Sequence, residues 1–355
     1  MRLAIIFAGI LQVCAAIPAV NRKACQYPTQ KPLDGCPKNT LLVGPGSNFS
    51  TIQSAVLSLP NDKTPYNILI LPGNYTEQVN ITRPGPVYLL GQTAHPETRT
   101  KNTVNILWHN ATGAGFPVPP NTPFGNTDFR AYNLNFTNDY LPYSAGPSLA
   151  ISVSYANTGF YYCAFHSYQD TLYIGKLGNA YIYDSEIAGQ TDFLYGFGTA
   201  WIQSSLLTLR GCGGGITAWK GTNTTFENRY GVYIHDSALR KENATLAIQG
   251  QCALGRPWNA LHRSIFANCD MDDSILPAGY IRWSAADPRV GVNTTMAEYR
   301  SYGPGWDEAA RRANNISIVM GERQYRDYKR VETVFQYPFS GEFGNTAWID
   351  RDPGQ

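Results

Sequence analysis

Hydrophobic and polar residues along this chain are grouped into short units with few helical signatures. The segment Ser50-Thr-Ile-Gln53 has the form of a capping box, with the serine hydroxyl accepting from the N3 amide and Gln53 reaching back. It predicts a short helix through Val56-Leu57, then a strand at Ile68–Leu71 and a turn at Pro72-Gly73. The first ordered unit is expected to begin near Leu41. Beyond it the chain reads as β-like bursts punctuated by Gly, Pro, Asn and Asp, with no long helical stretch until about Asp307–Ala313.

The bursts repeat. Tyr162–Asp170 reads YCAFHSYQD, and 22 residues later Asp184–Asp192 reads DSEIAGQTD. Phe165 aligns with Ile187, Gln169 with Thr191, and Asp170 with Asp192. A further 20 residues on, Ile202–Leu207 (IQSSLL) aligns with Ile182–Ile187 (IYDSEI). Related bursts occur at Tyr132–Asn138, Tyr230–Arg240 and Ser264–Asp273. Short strands at such a period indicate a solenoid whose repeat is one coil, and a parallel β-helix is its natural form. The lack of strong amphipathic helices between bursts disfavours a βαβ sheet. A β-sandwich remains open on patterning alone.

This register has a chemical consequence. Equivalent positions in neighbouring coils lie about 4.8 Å apart, so Asp170 and Asp192 are expected side by side on one face. Two carboxylates that close do not both ionise freely, and the pair can supply an acid and a nucleophile or base. The competing explanation is that each Asp ends a strand and bonds a turn amide.

Composition narrows the class. Only 15% of the 355 residues are charged, against roughly 25% in an average soluble domain, and the net charge is +2. Abundant aromatics exclude a disordered chain, and the absence of a concentrated basic patch argues against nucleic-acid binding. Met1-Arg2, the apolar run Leu3–Leu11 and the small residues ending at Ala16 have the layout of a secretory signal peptide, so residues 1–16 are expected to be removed. No later segment has about 18 consecutive apolar residues, so no membrane span is expected. Nine Asn-x-Ser/Thr sequons, at Asn48, Asn74, Asn80, Asn110, Asn135, Asn223, Asn243, Asn293 and Asn315, agree with export. Without Cys14, six cysteines remain, an even number that suits an oxidising compartment, with Cys25–Cys36 expected as a local staple. Tight Cys-x-x-Cys spacing is lacking and the five histidines are scattered, so no zinc or other metal site is expected.

Three strings carry a family likeness: YQDTLY at Tyr168–Tyr173, GQTDFLYG at Gly189–Gly196 and LGRPW at Leu254–Trp258. In that order and at these separations they resemble the signature segments of pectin methylesterases (pectinesterases). The likeness extends through Gly46–Val56, Phe129–Asn138 and Ala297–Gly305, and so covers most of the chain. It implies an all-β fold, a right-handed parallel β-helix with a short N-terminal helix and a C-terminal helical and loop tail. A single such domain is expected over residues 17–355, with an N-terminal extension at about 17–40. The implied activity is hydrolysis of the methyl esters of galacturonate units in pectin, by a secreted, monomeric enzyme that uses no cofactor.

The resemblance also implies roles. Asp192 corresponds to the nucleophile and Asp170 to the general acid and base. Arg256 corresponds to the residue that holds the nucleophile, Gln169 to one of two glutamines stabilising the oxyanion, and Trp258 to an aromatic platform for sugar. Tyr168, Phe193 and Trp283 are further candidates for sugar stacking, with core packing the competing role for Tyr168 and Phe193. The other oxyanion glutamine falls on Pro147, which has no donor to offer, so a catalytically silent or weak pectin-binding β-helix is the alternative. A lyase or glycosidase on the same fold is disfavoured by the specific motifs. Gly146-Pro-Ser148-Leu-Ala150 looks faintly like a serine nucleophile elbow, but its last residue is Ala and no strong helix follows.

Overall fold

The computed structural model describes residues 22–111, 125–221, 229–335 and 346–354. The leader at 1–16 and the sequon at Asn223 lie outside the described residues. The chain winds into a parallel β-helix whose coils contribute to three parallel sheets of eleven, eight and five strands. The register expected from the sequence is present: Phe165 pairs with Ile187, Leu172 with Leu194 and Ile182 with Ile202. Gln169 and Thr191 meet in an isolated bridge. These pairings exclude the sandwich, whose strands would be antiparallel.

Because the coils stack in register through the eleven-stranded sheet, inward positions there form columns. One runs Ile68, Leu89, Ala131, Phe160, Ile182, Ile202, Ile234 and Phe266 through the eleven-stranded sheet. All eight are at most 1% exposed. The next position is Glu298, itself paired with Val319 in the last strand of the sheet. Its carboxylate meets Arg311 at 2.6 Å, and Arg311 also donates to the carbonyls of Leu276 and Gly305. Arg311 thus supplies a charge partner through Oε2, while Oε1 has no hydrogen-bond partner among the described residues.

The first end is closed by the helix Ile52–Ser58, which buries Ile52, Ala55 and Val56. Its cap differs by one residue from the expected box. Thr51, not Ser50, accepts from Ser54 N at 3.2 Å, and the Glu77 carboxylate accepts from Ile52 N and Gln53 N. Gln53 instead binds the backbone of Asn80, because a non-local carboxylate already satisfies the helix start. The expected strand at 68–71 spans Tyr66–Ile70, and the late helix is Glu308–Ala313, capped by Asp307 on Ala310 N. A short helix at Arg22–Gln26 was not legible in the sequence. The C-terminal tail packs Val331, Val334, Phe335, Trp348 and Ile349 over the outward aromatics Tyr132, Tyr161, Tyr181, Trp201 and Tyr233.

The cysteines divide in a way the even count did not foresee. Cys25–Cys36 and Cys212–Cys252 are disulfides, whereas Cys163 and Cys269 are free and buried. The reason is positional. Cys163, Ser185, Ser205, Ser237 and Cys269 occupy the same corner of successive coils, each two residues past a paired strand position. The Oγ of Ser185, Ser205 and Ser237 donates to the carbonyl two residues back and accepts the N–H of the coil below. Cys163 and Cys269 direct their thiols to the corresponding carbonyls of Tyr161 and Ala267. Three serine-bearing coils separate them, so they cannot pair.

Among the eight described sequons, Asn135 is committed to an asparagine ladder with Asn102 and Asn105, while the other seven asparagines are exposed.

Phe165 is fully buried between Phe136 and Phe160. Phe165→Ala should cost about 3–5 kcal/mol in equilibrium urea unfolding. Cys163→Ser should stay within about 1 kcal/mol of the native protein in the same measurement, since it restores the residue used one coil away.

Candidate active site

Each of the two aspartates lies two residues before a strand of the five-stranded sheet. Asp170 precedes Leu172–Ile174, and Asp192 precedes Leu194–Gly196. Both have left-handed backbone, at φ 60° and 48°. Asp accepts that conformation better than most residues because its short carboxyl bonds locally. The ladder continues through them: Asp170 N donates to Thr191 O at 3.1 Å and Asp192 N to Gly215 O at 2.7 Å. The hydrogen bonds that build the solenoid thus hold the two carboxyls on consecutive coils.

Their surroundings differ sharply. Asp192 accepts from Arg256 Nε at 3.0 and 3.2 Å, from Arg256 Nη2 at 2.7 Å and from Gly215 N at 3.1 Å. That bidentate, charge-assisted contact holds the carboxylate in one orientation. No described residue donates a hydrogen bond to the Asp170 carboxyl. Burial, and then the neighbouring Asp192 charge, push its pKa up to about 7, against a smaller opposing pull from Arg256. Identical side chains thus meet different surroundings by position alone, and Asp170 is the one whose pKa is raised.

Arg256 follows the strand Ala253–Gly255, and its backbone N–H donates to Thr217 O at 3.0 Å. Its guanidinium lies 4.0 Å from the Trp283 ring centroid, and Arg289 lies 4.1 Å from the same ring. On its other side it crosses Gly214, whose φ is +63° and whose missing Cβ would fall 2.6 Å from Arg256 Nε and Cζ. The glycine run 213–215 therefore makes room for the arginine. The Cys212–Cys252 disulfide ties that run to the strand carrying Arg256. This run was not recognised in the sequence; its signal was the Gly-Cys-Gly-Gly-Gly string.

Gln169 is tethered through its carbonyl. Oε1 accepts from Ser144 Oγ at 2.8 Å and from Gly146 N at 3.1 Å, which leaves its NH2 group as a donor. Ser144 N also contacts Gln190 Oε1 at 3.3 Å, so one loop residue engages two carboxamides. Pro147 is exposed, and Ser148 is buried with its Oγ 2.7 Å from Ser167 Oγ. Ser148 thus acts as a structural hydroxyl, and the serine-elbow reading falls.

The aromatic candidates separate. Phe193 is 0% exposed and lies within the core cluster beside Leu194, which corrects its assignment as a sugar-stacking residue. Trp283 is flanked by two guanidiniums and so supports Arg256 rather than offering a free face. Tyr168 lies under Arg210, whose guanidinium is 5.0 Å from its ring. Trp258 borders the groove, 5.8 Å from Tyr195, which in turn is 4.8 Å from Tyr173 on the adjacent coil. The Asp170 charge helps raise the Tyr195 pKa, after burial. Tyr173 and Tyr195 are outward partners in the five-stranded sheet, and were legible as the last tyrosines of two motifs.

Gly214→Ala should displace the Arg256 guanidinium and lower kcat, with secondary structure unchanged by circular dichroism. The raised Asp170 pKa has a further thermodynamic consequence. The folded protein binds more protons at this site than the unfolded chain between about pH 4 and about pH 7, so the site costs stability as pH rises through that window. Asp170→Asn should therefore unfold at higher urea than the native protein at pH 8, by on the order of 2–4 kcal/mol. At pH 3.5 the two should nearly coincide.

Comparison with known proteins agrees with this architecture. Residues 43–333 match the family model described as Pectinesterase. The chain is 29% identical over 306 residues to the probable pectinesterase A of Aspergillus oryzae, covering 85% of this chain and 90% of that one. It is 32% identical over 265 residues to pectinesterase A of Emericella nidulans, covering 74% and 75% respectively. Among solved structures, the pectin methylesterase of Aspergillus niger superposes with a TM-score of 0.70 at 25% identity, over 89% of this chain and 98% of that one. The fold and the sequence agree on one assignment: the chain belongs to the pectinesterase family, carboxylic ester hydrolases that act on pectin.

Proposed function

We propose that Asp192 is the nucleophile and Asp170 the acid and base in removal of methyl esters from galacturonate units. The ionised Asp192 oxygen attacks the ester carbonyl carbon, while protonated Asp170 delivers its proton to the departing methoxy oxygen. Methanol leaves, and the galacturonyl group stays joined to Asp192 as an anhydride. Asp170, now ionised, takes a proton from water as the water oxygen attacks the acyl carbon. The galacturonate acid is released, Asp192 regains its carboxylate, and Asp170 holds a proton again. The single observation that carries this reading is the asymmetry of two in-register carboxyls, one gripped by Arg256 and one buried without a described donor.

Gln169 fits the oxyanion donor role in this scheme, because Ser144 and Gly146 occupy its acceptor and turn its amide N–H groups outward. Pro147 contributes no donor, and a catalytically silent pectin binder is the reading that follows if Gln169 alone is insufficient. The acid pair supports turnover over silence, since a purely binding groove gains nothing from a buried carboxyl with a raised pKa. Secretion follows from the leader-like residues 1–16, and the exposed sequons are suited to glycans. A monomer suits a groove that must admit a polymer.

Methanol release from highly methylated pectin measures the reaction directly. Asp192→Asn should reduce it to background, and Gln169→Ala should lower kcat by about 10²–10³. A native rate no higher than that of Asp192→Asn at any pH would establish the silent binder instead. Acylation needs Asp170 protonated, so the single-turnover rate of methanol release should decline as pH rises through about 7.

A further inference from the structure

Gln190, on the coil above Gln169, is held by the same loop residue, yet the ester chemistry above gives it no part. Ser144 N donates to Gln190 Oε1 at 3.3 Å, and Ser144 Oγ donates to Gln169 Oε1 at 2.8 Å. A backbone N–H can only donate, so it fixes the Gln190 carboxamide with its oxygen toward Ser144 and its NH2 group away. No described residue accepts a hydrogen bond from the NH2 group of either glutamine. One residue thus aims two free amide donors.

The backbone of Gln190 is tied to the coil that carries Gln169 and Asp170. Gln190 N and Thr191 N both donate to Tyr168 O, at 2.7 and 3.0 Å. Above it the ladder opens: Gly189 pairs with Leu209 but Thr191 pairs with Gly213, so the upper strand runs two extra residues past Gln190. Irregularities of this kind re-aim side chains beside active sites. The upper coil crosses the side chain on glycines. A Cβ at Gly211 would lie 3.0 Å from Gln190 Cγ and 3.4 Å from its Nε2, and one at Gly213 would lie 3.8 Å from Nε2. Gly214, next in the chain, makes room for Arg256, and Gly215 N donates to Asp192. The Gln190 amide and the Arg256 guanidinium therefore lie along one glycine run, whose far end binds the nucleophile. Bracing the loop uses only the Gln190 oxygen, and the donor end of this half-buried side chain is left over.

We propose that Gln190 donates a hydrogen bond to the oxyanion alongside Gln169, and so supplies the second donor that Pro147 cannot. This rests on the pectin methylesterase reading and deepens it. As the Asp192 oxygen bonds to the ester carbon, the carbonyl π pair moves onto the carbonyl oxygen. That oxyanion accepts N–H from Gln169 Nε2 and Gln190 Nε2. When the C=O bond re-forms, the methoxy oxygen departs with the Asp170 proton. The charge exists only in the tetrahedral state, so the donor acts on kcat rather than on substrate binding. Ser144 is the positioning residue for both amides, through its Oγ for Gln169 and its N–H for Gln190.

The test measures methanol release from a fully methyl-esterified galacturonate hexamer by the full chain. Gln190→Met keeps the length of the side chain and its packing on Gly211, and removes the amide. It should lower kcat by about 10²-fold and leave KM within about twofold. Gln190→Ala should do the same, with an unchanged circular dichroism spectrum. In the Asp192→Asn background, calorimetry should find the hexamer bound equally well with and without Gln190→Met. Ser144→Ala removes only the Oγ contact to Gln169, so it should lower kcat in the native and Gln190→Met proteins but not in Gln169→Ala. A Gln190→Met kcat within about twofold of native, or a loss confined to KM and hexamer binding, would overturn the proposal. A native rate at background would overturn it together with the esterase reading. An active native enzyme with an equally active Gln190→Met protein would overturn this proposal alone.

Discussion

The structure depends on a ladder of parallel strands that keeps its register from coil to coil, apart from a shift between Gly189 and Thr191. Every coil repeats the direction of the one before, so a residue type placed at one position recurs as a column, whether of isoleucine in the core or serine at a corner. The same ladder passes through Asp170 and Asp192 by way of Thr191 O and Gly215 O. Two carboxyls that would repel each other in solution are held together because separating them means breaking backbone hydrogen bonds on both coils. Burial and then the neighbouring Asp192 charge raise the pKa of Asp170.

A symmetric stack alone would give two similar acids. Symmetry is broken by Arg256, which is 64 residues from Asp192 in sequence and reaches it across the glycine run 213–215. Trp283 and the Cys212–Cys252 disulfide support that reach from two sides. The asymmetry of the pair thus comes from an irregular upper coil laid over a regular lower one. Ser144 and Gly146 do the corresponding work for Gln169 from below, through a loop that departs from the regular ladder.

The scarcity of charge across the chain gives weight to where charge is placed. Buried ions here are answered by specific partners, as Glu298 is by Arg311 and Asp192 by Arg256. Other cations lie against rings, as Lys220 does on Trp258 and Arg263 on Tyr230.

The sequence by itself determined the coil repeat, the pairing of Phe165 with Ile187, and the adjacency of Asp170 and Asp192. Those features depend on spacing within 22 residues, and parallel stacking turns spacing directly into register. The family likeness also pointed to Arg256 as the residue that holds Asp192, a contact the structure makes. Only the tertiary structure decided that Phe193 faces the core, that Trp283 braces Arg256, and that Lys220 lies against Trp258. It also decided that two cysteines sit three serine-bearing coils apart, where the even count had suggested pairing. Each of those outcomes depends on side-chain direction or on contacts across coils of unequal length. Such contacts are set by packing around the whole solenoid, which no local spacing encodes.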